Sequence, residues 1–155
     1  MKMAVKNQAG KYFVLAFTIF ILDRITKFMA LTCCLNIPHH ITSFLSFEVT
    51  LNRGISWGMF HSNNDVVFIV VSLLITMITA MLCWFAYHNY KQGKNIVAEI
   101  CIIAGSLSNI VDRVIYGGVI DFILLSYGNL YWPVFNIADV VIVLGVCLLL
   151  WKYEK

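Results

Sequence analysis

Four apolar runs constrain this chain more than any other feature, because each has about the length a helix needs to cross a bilayer's hydrocarbon core. They cover about residues 12–31, 66–87, 96–116 and 134–151. The second contains no charge. The first is interrupted by Asp23, Arg24 and Lys27, the third by Glu99, Asp112 and Arg113, and the fourth by Asn136 and Asp139. Only 12% of the residues are charged and 61% are hydrophobic, whereas soluble domains carry about 25% charged residues. In hydrocarbon, backbone polar groups must be satisfied internally, which favours helices. The sequence therefore predicts an all-α membrane protein: one membrane domain over residues 1–155, with four transmembrane helices.

Lysines set the orientation. Lys2, Lys6 and Lys11 precede the first run, Lys91 and Lys94 separate the second from the third, and Lys152 and Lys155 follow the fourth. The other two connections, 32–65 and 117–133, hold no lysine. The positive-inside rule then puts both termini in the cytoplasm and both long connections outside. The N-terminus resembles a signal peptide, but its charges and the lack of a small-x-small cleavage site mark a retained first span. Within the first outer connection, Ser46 to Leu51 alternates polar and apolar, as a half-buried strand does. Asn52-Arg53-Gly54 supplies a turn, and Ile55 to Phe60 is expected to pair back. A small extracytoplasmic β element follows. The second connection opens on Gly117-Gly118, and its apolar Val119 to Leu125 is expected to lie in the membrane interface.

Carboxylates near a membrane span are costly and usually functional. Asp121 and Asp139 each sit in a polar knot beside an apolar run. If they converge, they form a dyad that shares a proton and divides acid and base roles. The alternative is that each is merely paired with Arg24, Lys27 or Arg113. Depth favours convergence. At about 1.5 Å per residue, Asp23 lies roughly 16 Å up span one, and Asn109 and Asp112 roughly 20 and 24 Å up span three. Asn136 and Asp139 enter span four from outside, about 3 and 8 Å down. Residues three or four apart share a helix face, which groups Asp23 with Lys27, Asn109 with Asp112 and Arg113, and Asn136 with Asp139. Gly105 and Ser106 make a small patch for close helix approach. Lys27 either neutralises Asp23 or snorkels outward. Glu99 is expected to pair with Lys94 or reach water.

The net charge of +3 is small and unclustered, so no nucleic-acid partner is expected. No Cys/His spacing resembles a metal site. A proton-coupled transporter would also use intramembrane carboxylates, but its acids would cross the bilayer rather than gather on one side.

Five segments resemble the lipoprotein signal peptidases, or signal peptidase II family. They are Asp23-Arg24-Ile25-Thr26-Lys27, Asn52-Arg53-Gly54-Ile55-Ser56-Trp57-Gly58, Gly105 through Arg113, Val119-Ile120-Asp121-Phe122, and Phe135-Asn136-Ile137-Ala138-Asp139. Ile55-Ser56 departs from the small residues usual there. The resemblance implies an intramembrane aspartyl endopeptidase of the bacterial inner membrane, acting toward the periplasmic face. It would cut diacylglyceryl-modified prolipoproteins before the lipidated cysteine, as a monomer among membrane lipids, without metal or organic cofactor. It further implies Asp121 and Asp139 as the catalytic pair, supported by Asp23, Lys27, Asn52, Asn109, Asp112, Arg113 and Asn136.

Overall fold

The structure, a computed structural model, describes residues 2–35, 37–54 and 64–154. In chain order the elements are α1 (Lys2–Cys33), β1 (His39–His40), β2 (Leu45–Asn52), α2 (Asp65–Lys91), α3 (Val97–Tyr116), β3 (Val119–Tyr127), β4 (Leu130–Tyr131) and α4 (Ile137–Glu154). The helices fall on the four apolar runs, and α1 reaches further toward the N-terminus than its run. Helix ends follow local chemistry. Asn64 caps α2, its side chain accepting from the Val66 N–H at 2.8 Å. Gly117 closes α3 in the left-handed region at φ 68°, where a Cβ would be strained.

Polarity is arranged inside out. Asp23, Asp112 and Glu99 are fully buried, while Trp84, Leu73 and Met81 on α2 lie exposed. Among the described helices, α2 is the one that is both long and apolar enough to cross a membrane by composition. On α1 and α3, Asp23, Lys27, Glu99, Asp112 and Arg113 are turned inward.

The β element is larger than the sequence predicts. Four strands form an antiparallel sheet in the order β1-β2-β3-β4. The expected strand Ser46–Leu51 is the middle of β2. Its expected partner, Ile55 to Phe60, lies outside the described residues. Among the described residues β2 pairs with the short β1 on one edge and, on the other, with β3, built from the run expected to rest in the interface. A strand buried on both faces reads as a continuous apolar run without alternation, and Val119 to Phe122 are all buried. Register pairs Thr50 with Asp121 and Asn52 with Val119. A single bridge, Ile123 to Phe135, then lays the chain beside β3 just before α4 begins. The sheet therefore draws Asn52, Asp121 and Asn136 to one end of the bundle.

Helices α3 and α4 meet through glycine. A Cβ on Gly105 would lie 2.8 Å from the Ala138 carbonyl oxygen and 2.8 Å from Ile142, and one on Gly145 would lie 2.9 Å from the Ala98 carbonyl oxygen. The small patch at Gly105 thus serves the approach of α4, and Gly145 is its counterpart. Ala138, at the contact, is fully buried. Gly105→Ala is expected to cost about 1–3 kcal/mol through overpacking against backbone. Gly10→Ala on α1, where nothing lies within 4 Å, is expected to be neutral or mildly stabilising. Melting temperatures in detergent check both, and equal values for the two variants would refute the close approach.

Candidate active site

Asp121 sits on β3, 2% exposed. Each of its carboxylate oxygens accepts a side-chain amide: Asn52 Nδ2 donates to Oδ2 at 2.9 Å and Asn136 Nδ2 to Oδ1 at 2.6 Å. Asp139 stands in the first turn of α4. Its backbone N–H donates to Asn136 Oδ1 at 2.9 Å, while its Oδ2 accepts the Asn136 N–H at 3.3 Å. This reciprocal pair is a capping box, which satisfies amides left open at a helix start. Asn109 Nδ2 donates to Asp139 Oδ1 at 2.9 Å. Asn136 therefore touches both aspartates, one through its side chain and the other through its backbone. Both aspartates line a cavity of about 120 Å³ with Asn52, Asn109 and Arg113.

Three asparagines surround the pair, and each has its orientation fixed by a group that can only donate. Asn52 Oδ1 accepts the Gly54 N–H at 2.9 Å. Asn136 Oδ1 accepts the Asp139 N–H. Asn109 Oδ1 accepts the Lys27 ammonium at 2.7 Å. Neither a backbone N–H nor an ammonium has a lone pair to offer, so the atom facing it is oxygen. Each amide must then turn its NH2 group to a carboxylate.

An ionic layer lies behind the cavity. Lys27 Nζ is 2.8 Å from Asp23 Oδ2 and 2.7 Å from Asp112 Oδ2, and Arg24 reaches Asp112 Oδ1 at 2.6 Å. Asp23 also accepts the Ser108 hydroxyl at 2.6 Å and, with Oδ1, the Ala138 N–H at 2.8 Å. It thus holds the start of α4 from α1. Asp112 Oδ2 accepts the Ile120 N–H at 3.3 Å and ties α3 to β3 beside Asp121. Arg113 donates to the carbonyls of Gly54 at 2.8 Å and Asn109 at 3.3 Å.

All nine expected site residues therefore gather here. Asp121, Asp139, Asn52, Asn109 and Arg113 line the cavity, and Asn136, Asp23, Lys27 and Asp112 stand behind it. Arg24 and Ser108 belong to the same network and are not among the site residues that the sequence predicts. Ser108 shares a face with Gly105 and Asp112, so helical spacing could have found it. Glu99 joins no part of this cluster. It pairs with Lys152 at 3.0 Å rather than Lys94, and accepts from Asn89 at 3.1 Å, because α4 passes beside α3 at that end.

Burial drives the Asp121 carboxyl from its ordinary 3.8 up to about 7, and the charge of Asp139 adds to the rise. The amides of Asn52 and Asn136 and the charge of Lys27 oppose it. A carboxyl poised near neutrality, beside a second carboxyl on the same cavity, can hold one proton between the two. Such a pair can activate water and polarise a carbonyl in one step. The acids of this cluster lie together at one end of the bundle, unlike a relay across it.

The sequence profile of the Signal peptidase (SPase) II family matches residues 15–154. The chain is 38% identical over 142 residues to a lipoprotein signal peptidase of Thermodesulfovibrio yellowstonii, covering 90% of this chain and 91% of that one. It is 36% identical over 155 residues to one of Aquifex aeolicus, covering 99% and 91%. A bacterial membrane enzyme structure determined by the in meso method at 2.3 Å superposes with a TM-score of 0.75 at 26% identity, over 94% of this chain and 88% of that one.

The raised Asp121 carboxyl fixes a sign for stability. Between about pH 4 and 7 the folded chain keeps a proton that the unfolded chain has lost, so stability falls as pH rises through that window. The slope contributed is at most about 1.4 kcal/mol per pH unit. Asp121→Asn removes this contribution. Melting temperatures in detergent from pH 4 to 8 are expected to fall more steeply for the parent than for the variant, and parallel curves would contradict the assignment.

Proposed function

Since the chain belongs to the signal peptidase II family, and is thereby a peptidase that removes signal peptides from prolipoproteins, we propose that Asp121 and Asp139 carry out the hydrolysis. The observation that carries this reading is Asn136, which donates to Asp121 through its side chain and to Asp139 through its backbone. One carboxylate of the pair takes a proton from water as the water oxygen attacks the scissile carbonyl carbon. The protonated partner donates to the carbonyl oxygen, giving a tetrahedral diol. Collapse of the diol breaks the C–N bond as the protonated carboxyl gives its proton to the departing nitrogen. The ionised one takes a proton from a diol hydroxyl, which leaves the new carboxyl and a pair again holding one proton. The dyad titrates as one unit. Asn52, Asn109 and Asn136 hold the two carboxylates through side-chain amides. One chain supplies every group of this site, which supports a monomer.

We further propose four membrane spans, with both termini in the cytoplasm and the site toward the outer face of a bacterial inner membrane. The lysine asymmetry supports this orientation, and the burial of Asp23, Lys27, Glu99, Asp112 and Arg113 supports the spans. The substrate is then a diacylglyceryl-modified prolipoprotein, cut before its lipidated cysteine. Asp139 stands in the first turn of α4, at headgroup or upper acyl depth. A lipid anchor resides at that depth, each buried methylene contributing about 0.8 kcal/mol to partitioning.

Two experiments test these readings. Matched lipidated and unlipidated prolipoproteins, at equal concentration in mixed micelles, are expected to be cleaved at rates differing at least tenfold by the parent. Asp121→Asn and Asp139→Asn are expected to cleave neither. Turnover near the parent rate in either variant removes the dyad, whereas equal rates on the two substrates remove the lipid-depth selection alone. For orientation, a single cysteine placed at Asn129 in a cysteine-free background is expected to be labelled from outside intact spheroplasts, and one at Gln92 is not. Labelling at Gln92 would overturn the topology.

A further inference from the structure

Lys27 lies 1% exposed, off the cavity and without contact to either aspartate. Its ammonium has three protons and meets three acceptors: Asp23 Oδ2 at 2.8 Å, Asp112 Oδ2 at 2.7 Å and Asn109 Oδ1 at 2.7 Å. A fully used ammonium does not take protons from substrate. Within its layer Lys27 and Arg24 are balanced by Asp23 and Asp112, although the ammonium still lowers the Asp121 carboxyl from a distance. Its third proton, however, falls on a neutral amide that leads to the reacting pair.

We propose that Lys27 is a positioning residue for proteolysis, locking the Asn109 carboxamide so that its NH2 group faces Asp139. The inference rests on the dyad reading above. An amide free of Lys27 can rotate by half a turn and present its oxygen to Asp139 instead. That exchange replaces a donor with an acceptor against the carboxylate and disfavours its ionised form. Asn136 Nδ2, 3.3 Å from Asn109 Oδ1, is a weaker guide, because its shortest bond goes to Asp121. The charged groups facing this region are Asp23, Arg24 and Lys27 from α1, Asp112 and Arg113 from α3, Asp121 from β3 and Asp139 from α4. Among the described residues, Lys27 is the cation among these that bonds the Asn109 side chain.

The test is a double-mutant cycle on pH–rate profiles with lipidated prolipoprotein. Lys27→Met is expected to move the acid limb of kcat upward by about one pH unit, so that kcat falls roughly tenfold at pH values on that limb, with KM within twofold of the parent. Asn109→Leu, which keeps Lys27 with its two ion pairs, is expected to move the same limb in the same direction. In the double variant the two shifts are expected not to add. Full additivity would mean that Lys27 acts through charge or packing rather than through Asn109, and would overturn the proposal. An unchanged profile for Asn109→Leu would overturn it as well, even if Lys27→Met does not fold. Activity in Asp139→Asn would instead signal failure of the dyad reading, so the two failures are distinguishable.

Discussion

The ammonium of Lys27 is the point on which the bundle's polar interior depends. Four charges from α1 and α3 are withdrawn from solvent, and removing one partner of such a set typically costs 3–5 kcal/mol, because a charge is left uncompensated. Full use of the three ammonium protons makes the burial tolerable. It also gives the layer direction, since each proton ends on a group that holds something else. Asp23 holds the start of α4, Asp112 holds the backbone of β3, and Asn109 holds Asp139. The apolar exterior supplies no such direction.

The second principle of the site is that donor-only groups fix the amides. Carboxamides are ambiguous in most settings, because oxygen and nitrogen can exchange places. Here a glycine N–H, a helix-start N–H and an ammonium remove the ambiguity at three positions. The result is a ring of NH2 groups around two acids, built from neutral residues. It holds the carboxylates by hydrogen bonds from neutral amides, and burial leaves the Asp121 carboxyl high enough to share a proton.

Much of this was legible in the sequence because cost leaves a trace. Asp23, Asp112 and Asp139 stand out against apolar runs, and helical rise alone placed them at one level. The glycine at 105 announced a close approach for the same reason. Asn52 is different. It came from the motif resemblance, since nothing in its own segment says that it meets Asp121, 69 residues away. That contact depends on the register of β2 against β3, and β3 did not read as a strand because burial on both faces erased its alternation. The partner of Glu99 was missed on similar grounds: Lys94 is near in sequence, but helix packing delivers Lys152. Local pattern therefore revealed which residues are expensive, and long-range pairing decided what they are for.

The bond from Asp23 to the Ala138 N–H spans 115 residues, and this sets an order of events during synthesis. At roughly 5–20 residues per second, α4 emerges about 6–23 s after α1. Through that interval Asp23 and Lys27, one helical turn apart, can neutralise each other within α1, so the charges of the first helix need not wait for α3. The capping box, the second carboxylate and part of the cavity wall arrive only with α4. Until α4 emerges, the pair of carboxylates at the cavity is therefore incomplete.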